Sequence, residues 1–159
     1  QVIHSTGNNQ YDRVINEFGM RGIRLKDHPN VKVKPYIQNM AQAIACADLV
    51  VSRAGAIALA EITATGKPAV LIPSPYVTGN HQEYNARALE KEGAAVVLLE
   101  SHLDNGSSFT EVVYDLLMDK NKLSDMEKNS RKIAPKDAVD RIYKEVCALA
   151  SKAHDSNTL

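Results

Sequence analysis

Two hydrophobic periods alternate along most of this chain. Short apolar runs at residues 2–5, 31–33, 49–52, 69–72 and 95–99 have the length of buried strands. Between them, residues 10–18, 39–46, 56–65 and 81–92 carry apolar positions at the three and four spacing of helices. Strands alternating with helices predict an α/β fold: a Rossmann-like parallel sheet with helices on both faces. Gly66 and Gly93 stand where the third and fourth of these helices must stop, the place a left-handed residue takes at a helix end. Beyond residue 99 the pattern is helical only, over 108–119, 122–133 and 137–150, with Pro135 breaking the last two apart. Residues 1–152 read as one domain and the largely polar residues 153–159 as a frayed tail.

Composition and charge narrow the picture. The 159 residues can bury a real core, and 44% hydrophobic with 24% charged residues is ordinary for a globular chain. Nineteen Lys and Arg balance nineteen Asp and Glu, so no basic face is offered to nucleic acid or an anionic membrane. The local cluster Lys128, Arg131, Lys132 and Lys136 is interleaved with Asp125, Glu127 and Asp137, which marks a solvated helix face. Cys46 and Cys147 lack metal or redox spacing and are expected to pack inside. No apolar stretch approaches the roughly 18 residues of a membrane helix and no signal segment is visible, so the expected compartment is cytoplasmic. The acceptor pattern Asn105-Gly106-Ser107 reads as an ordinary loop and helix cap.

The candidate chemistry lies at strand ends. An open parallel sheet binds ligands beyond the carboxyl ends of its strands, which directs attention to residues 4–9, 35–39, 53–57, 73–82 and 100–107. In Ser52-Arg53-Ala54-Gly55-Ala56-Ile57-Ala58-Leu59-Ala60-Glu61 a glycine turn, a helix start and a carboxylate follow an apolar run. Unpaired N–H groups at such a helix start suit a phosphate. Glu61, one helical turn past Ile57, suits the paired hydroxyls of a ribose. Taken singly, Glu61 is an exposed helix residue, Gly55 a plain turn, His81 and Gln82 solvated helix-start residues and Ile37 core; placed together at strand ends they point to one site. No carboxylate pair has metal-ligand spacing, and neither a metal nor a cofactor is expected.

Read together and in order, several segments carry a resemblance. They are Tyr36-Ile37-Gln38-Asn39-Met40, Ala47-Asp48-Leu49-Val50-Val51-Ser52-Arg53-Ala54-Gly55-Ala56, Glu61, Gly66-Lys67-Pro68, Pro73, His81-Gln82 and Asn85-Ala86. The chain resembles the C-terminal half of the MurG family over nearly its whole length. These are B-type (GT-B) glycosyltransferases that add N-acetylglucosamine to the undecaprenyl-linked muramyl-pentapeptide precursor of peptidoglycan. The resemblance implies that UDP-N-acetylglucosamine is the ligand and that the intact protein is an inverting hexosyltransferase. It places Ile37 against the uracil, and Gly55, Ala56, Ile57 and Ala58 at the diphosphate. Glu61 would take the ribose, while His81 and Gln82 meet hydroxyls of the transferred sugar with Asn85 in support. Arg53 either meets the phosphates or pairs with an acid of the fold.

The chain also departs from the family's pattern. A further strand with a glycine-rich loop and the acceptor domain normally precede the point where it begins, so it is expected to be an enzyme fragment, inactive alone, without an assigned catalytic residue. A lost central strand would leave its neighbours to pair directly or to borrow a strand from another molecule. Ala58 stands where a hydroxyl residue is common. The lipid-linked acceptor and a peripheral contact with the inner face of the cell membrane are implied for the full-length enzyme only. Another UDP-sugar transferase, a donor-binding subunit and a non-catalytic nucleotide-binding domain stay open as alternatives.

Overall fold

Each of the five apolar runs forms a strand, and every strand pairing is parallel. The computed structural model describes residues 1–103, 107–135 and 137–156. Asn105 and Gly106 of the glycosylation-like pattern, Lys136 and residues 157–159 therefore lie outside the described residues. The strands are β1 (Val2–Ser5), β2 (Val31–Lys34), β3 (Val50–Ser52), β4 (Ala69–Leu71) and β5 (Ala95–Val97). They sort into two sheets, β1–β2 and β3–β4–β5.

The chain divides into two compact units, Gln1–Ala43 and Ile44–Leu159. In the first, β1 and β2 run in register from Val2↔Val31 to Ser5↔Lys34 and are connected through α1 (Tyr11–Met20). β2 alternates half-buried Val31 and Val33 with exposed Lys32 and Lys34, the period of a strand with one covered face. Helix α2 (Met40–Cys46) crosses the boundary between the units.

The second unit holds the main core. β4 is buried at every residue, as a central strand with helices on both faces must be. Ala69 and Leu71 join Ala95 and Val97 in one cluster with Ala54, Leu59, Ile62 and Ala86, contributed mainly by α3 (Ala56–Thr65) and α4 (His81–Lys91). Val70, one position out of phase, faces the other way and packs with Leu116 of α5 (Ser107–Met118) and Met126 of α6 (Lys120–Ile133). Helix α3 is apolar on nearly every side, and its buried Thr63 satisfies its hydroxyl on the carbonyls of Leu59 and Ala60. Gly66 ends α3 in the left-handed region at φ 67°, and the N–H groups after the last turn return to Ile62 O and Thr63 O. Helix α6 ends at Ile133, with Ala134 extended ahead of Pro135.

Helix α7 (Ala138–Ser156) runs through four of the residues expected to belong to the frayed tail. Its apolar positions Val139, Ile142, Tyr143, Val146 and Leu149 keep helical spacing but are exposed. The two cysteines are corrections: Cys46 and Cys147 are both exposed rather than packed inside. In α2 the buried residue is Ile44, and a residue two positions on lies about 200° around a helix of 3.6 residues per turn. Among the described residues no helix is long and apolar enough to cross a membrane.

Candidate functional site

In the second unit, connections leave the carboxyl ends of β3, β4 and β5, and the first turns sharply into α3. Ala54 is wholly buried and pins the turn to the core. Gly55 is the residue before the helix, extended at φ −69° and ψ 144°. No side chain caps α3, and its first turn holds no acidic residue. Leu59 N–H donates to Gly55 O, which leaves the N–H groups of Ala56, Ile57 and Ala58 without an acceptor among the described residues. Ala56 is exposed and Ile57 is 79% exposed, so the positive end of the helix dipole is open.

Gly55 carries a second indication. Its φ is one any residue adopts, and a Cβ built on it would meet nothing within 4 Å. The fold does not demand glycine there; the bare backbone leaves free space beside the open N–H groups, as a backbone approached by a ligand does. Glu61 follows one turn past Ile57, half-buried, and its carboxylate has no partner among the described residues.

Arg53 has settled on an acid of the fold. Its Nη1 donates to Glu100 Oε2 at 2.8 Å, and to the carbonyls of Ile72 at 3.3 Å and Pro73 at 3.4 Å. One side chain from the end of β3 thus ties the connections that follow β4 and β5. The ion pair is half-exposed, which limits its own worth to about 0–1 kcal/mol, so its effect is to hold geometry.

At the start of α4, Gln82 is half-buried and its Oε1 accepts from Ser74 N–H at 2.9 Å. Arg53 and Gln82 therefore fasten to three consecutive residues of the connection after β4. His81 is exposed, and its ring lies where a Cβ on Gly79 would fall. Asn85, one turn on from His81 and Gln82, is half-buried. Ile37 belongs to the first unit, half-buried in the turn after β2. Glu100 and Ser74 are the residues the sequence reading missed. A strand-end arginine signals that some acid is needed, but 47 residues separate the pair and nothing local marks Glu100. Glu100 also lines a concavity of about 440 Å³ with Pro73, Tyr76, Asn80 and Glu83, in which none of the predicted ligand residues takes part.

A parallel sheet flanked by helices, with an uncapped helix start behind the edge strand β3, is the architecture of a Rossmann-like α/β domain. Residues 1–142 match the model of the glycosyltransferase family 28 C-terminal domain, and the chain belongs to that family. It is 51% identical over 142 residues to the UDP-N-acetylglucosamine–N-acetylmuramyl-(pentapeptide) pyrophosphoryl-undecaprenol N-acetylglucosamine transferase of Acetivibrio thermocellus, covering 89% of this chain and 37% of that protein. The protein of the same name from Desulforamulus reducens is 45% identical over 144 residues, covering 91% and 38%. The crystal structure of Acinetobacter baumannii MurG superposes with a TM-score of 0.76 at 26% identity, over 92% of this chain and 40% of that one. The chain thus spans well under half the length of these relatives.

Proposed function

We propose that this chain is the donor-binding part of a hexosyltransferase that moves N-acetylglucosamine from UDP-N-acetylglucosamine to an undecaprenyl-linked muramyl-pentapeptide. The observation that carries the reading is the open mouth of α3: three unpaired N–H groups beside a glycine that the fold itself does not require. Family membership and the names of the long relatives support it.

In this reading the N–H groups of Ala56, Ile57 and Ala58 hold the diphosphate and Glu61 accepts from the ribose hydroxyls. Ile37 lies against the uracil, and His81, Gln82 and Asn85 meet the sugar. UDP departs carrying negative charge, and fixed dipoles aimed at that charge stabilise it as it develops. A helix terminus contributes on the order of 0.3–2 kcal/mol and each hydrogen bond to an ionised group roughly 1.5–3, so several act together. The acceptor and a peripheral membrane contact on the cytoplasmic face are assigned to the longer protein that the relatives represent.

Titration of UDP, UDP-N-acetylglucosamine, UDP-glucose and ADP, followed by amide shifts, tests the reading. Uridine ligands should move Ile37, Ala56 and Gln82 selectively, with UDP-N-acetylglucosamine binding more tightly than UDP-glucose. Equal response to ADP, or no response to UDP, overturns the proposal. Equal binding of UDP-glucose transfers it to another UDP-sugar transferase.

A further inference from the structure

The connection after β4 has little backbone with which to hold itself. Of Pro73, Ser74 and Pro75 only Ser74 carries an N–H, and it donates to Gln82 Oε1 at 2.9 Å. The carbonyls of Ile72 and Pro73 accept from Arg53 Nη1 at 3.3 and 3.4 Å, long beside the ordinary N–H···O range of about 2.7–3.2 Å. The bond from the same Nη1 to Glu100 Oε2 is 2.8 Å and charge-assisted, which makes it the strong one of the three. The Arg53 side chain is half-exposed, and among the described residues its Nε and Nη2 donate to nothing, so Glu100 is the group that decides where Nη1 sits. Glu100 is itself well placed for this. It opens a 3₁₀ turn, Glu100–His102, shortly after β5, and its carbonyl accepts from Leu103 N–H.

We infer that Glu100 is a positioning residue for recognition of the donor sugar: through Arg53 it holds Ile72 and Pro73, and with them Ser74 and the Gln82 side chain, without touching the ligand itself. The inference rests on the UDP-sugar reading above and adds to it a residue that lies outside the contacts proposed there. A half-exposed ion pair contributes little to folding. A hydrogen bond to a ligand, in contrast, weakens steeply when its donor or acceptor is misaimed, and a preordered side chain binds at lower cost than a wandering one. Loss of Glu100 is therefore felt in affinity for the sugar and scarcely in stability.

The test compares Glu100→Ala and Glu100→Gln with the wild-type chain, using UDP and UDP-N-acetylglucosamine as probes. In Glu100→Ala the urea midpoint and the UDP affinity should hold, while the ratio of UDP-N-acetylglucosamine affinity to UDP affinity falls about two- to tenfold, the worth of one neutral hydrogen bond. Hydrogen exchange of the Ser74 amide should quicken in the same variant, with the amides of β4 still protected. Glu100→Gln keeps the shape and an acceptor for Arg53 Nη1, so it should recover most of the ratio and slow the Ser74 amide again. In an Arg53→Met background Glu100→Ala should change the ratio no further, because the connection is already cut. A further fall there would mean that Glu100 meets the sugar directly, and it overturns the inference. An unchanged ratio or unchanged Ser74 exchange in Glu100→Ala also overturns it, while UDP binding stands. Failure of UDP to bind the wild-type chain overturns the underlying reading and this one with it.

Discussion

At the residue scale, the fold and the proposed ligand ask different things of Gly55 and Glu61, so they can be tested apart. Gly55→Ala meets no clash and no strained backbone. It should leave the urea midpoint unchanged or slightly raised, since fewer unfolded conformations are lost, by about 0–1 kcal/mol. UDP affinity should fall at least tenfold in the same variant, measured by titration, because the methyl group fills the approach to the N–H groups. Glu61→Ala should also keep its stability and lose detectable UDP binding, since the carboxylate has no partner within the protein to lose. Unchanged affinity in that variant would remove the ribose role. The local arrangement of these residues was legible in sequence because helix start, glycine and acid are neighbours there. The partner of Arg53 was not, because β-strand pairing and not chain order brings Glu100 to it.

At the element scale, the helix ends are the most local devices and were the easiest to read. Gly66 holds φ 67°, and a Cβ there would fall on the side chain of Arg131 in α6. Gly66→Ala should therefore lower stability by about 1–2 kcal/mol, from left-handed strain alone, in a denaturant titration. Displacement of Arg131 adds to this, since that side chain donates to Glu127 Oε1 at 2.6 Å. That hydrogen bond, with the nearby charges of Arg131 and Lys67, holds the Glu127 carboxyl below its ordinary value of 4.5. A carboxyl whose pKa is lower folded than unfolded stabilises the fold above the unfolded pKa and loses that effect as pH falls through the folded one. The melting-temperature difference between wild type and Glu127→Gln should accordingly be small and constant near neutral pH and vanish as pH drops below about 4.5; the pair is exposed, so the difference stays modest. Strand ends were less legible than helix ends. Apolar residues continue past β4 and β5 to Ile72 and Leu99; Ile72 N–H still donates to Ser52 O and Leu98 N–H to Leu71 O, but the Ile72 carbonyl accepts from Arg53 and the Leu99 carbonyl from His102 N–H, so the ladder stops there.

At the scale of the whole molecule, burial is uneven. Among the described residues the fully buried apolar side chains all belong to the second unit, while β1 is exposed along its length. Local stability follows buried apolar contact, so amides of β3, β4 and β5 should exchange with global protection and those of β1 and β2 far faster. Limited proteolysis should cut first within the first 43 residues, and equal protection across all five strands would contradict this. The sequence by itself determined which segments are strands and helices, where α3 and α4 stop, and that a glycine turn leads into α3, because each depends on a period or a neighbour within a few residues. Only the tertiary structure decided that the strands sort into two sheets, that Cys46 turns outward, that Arg53 closes on Glu100, and that Gln82 accepts from Ser74 N–H. Those outcomes depend on groups far apart in the chain, and no local pattern encodes which of several possible partners the packed core will bring within hydrogen-bond distance.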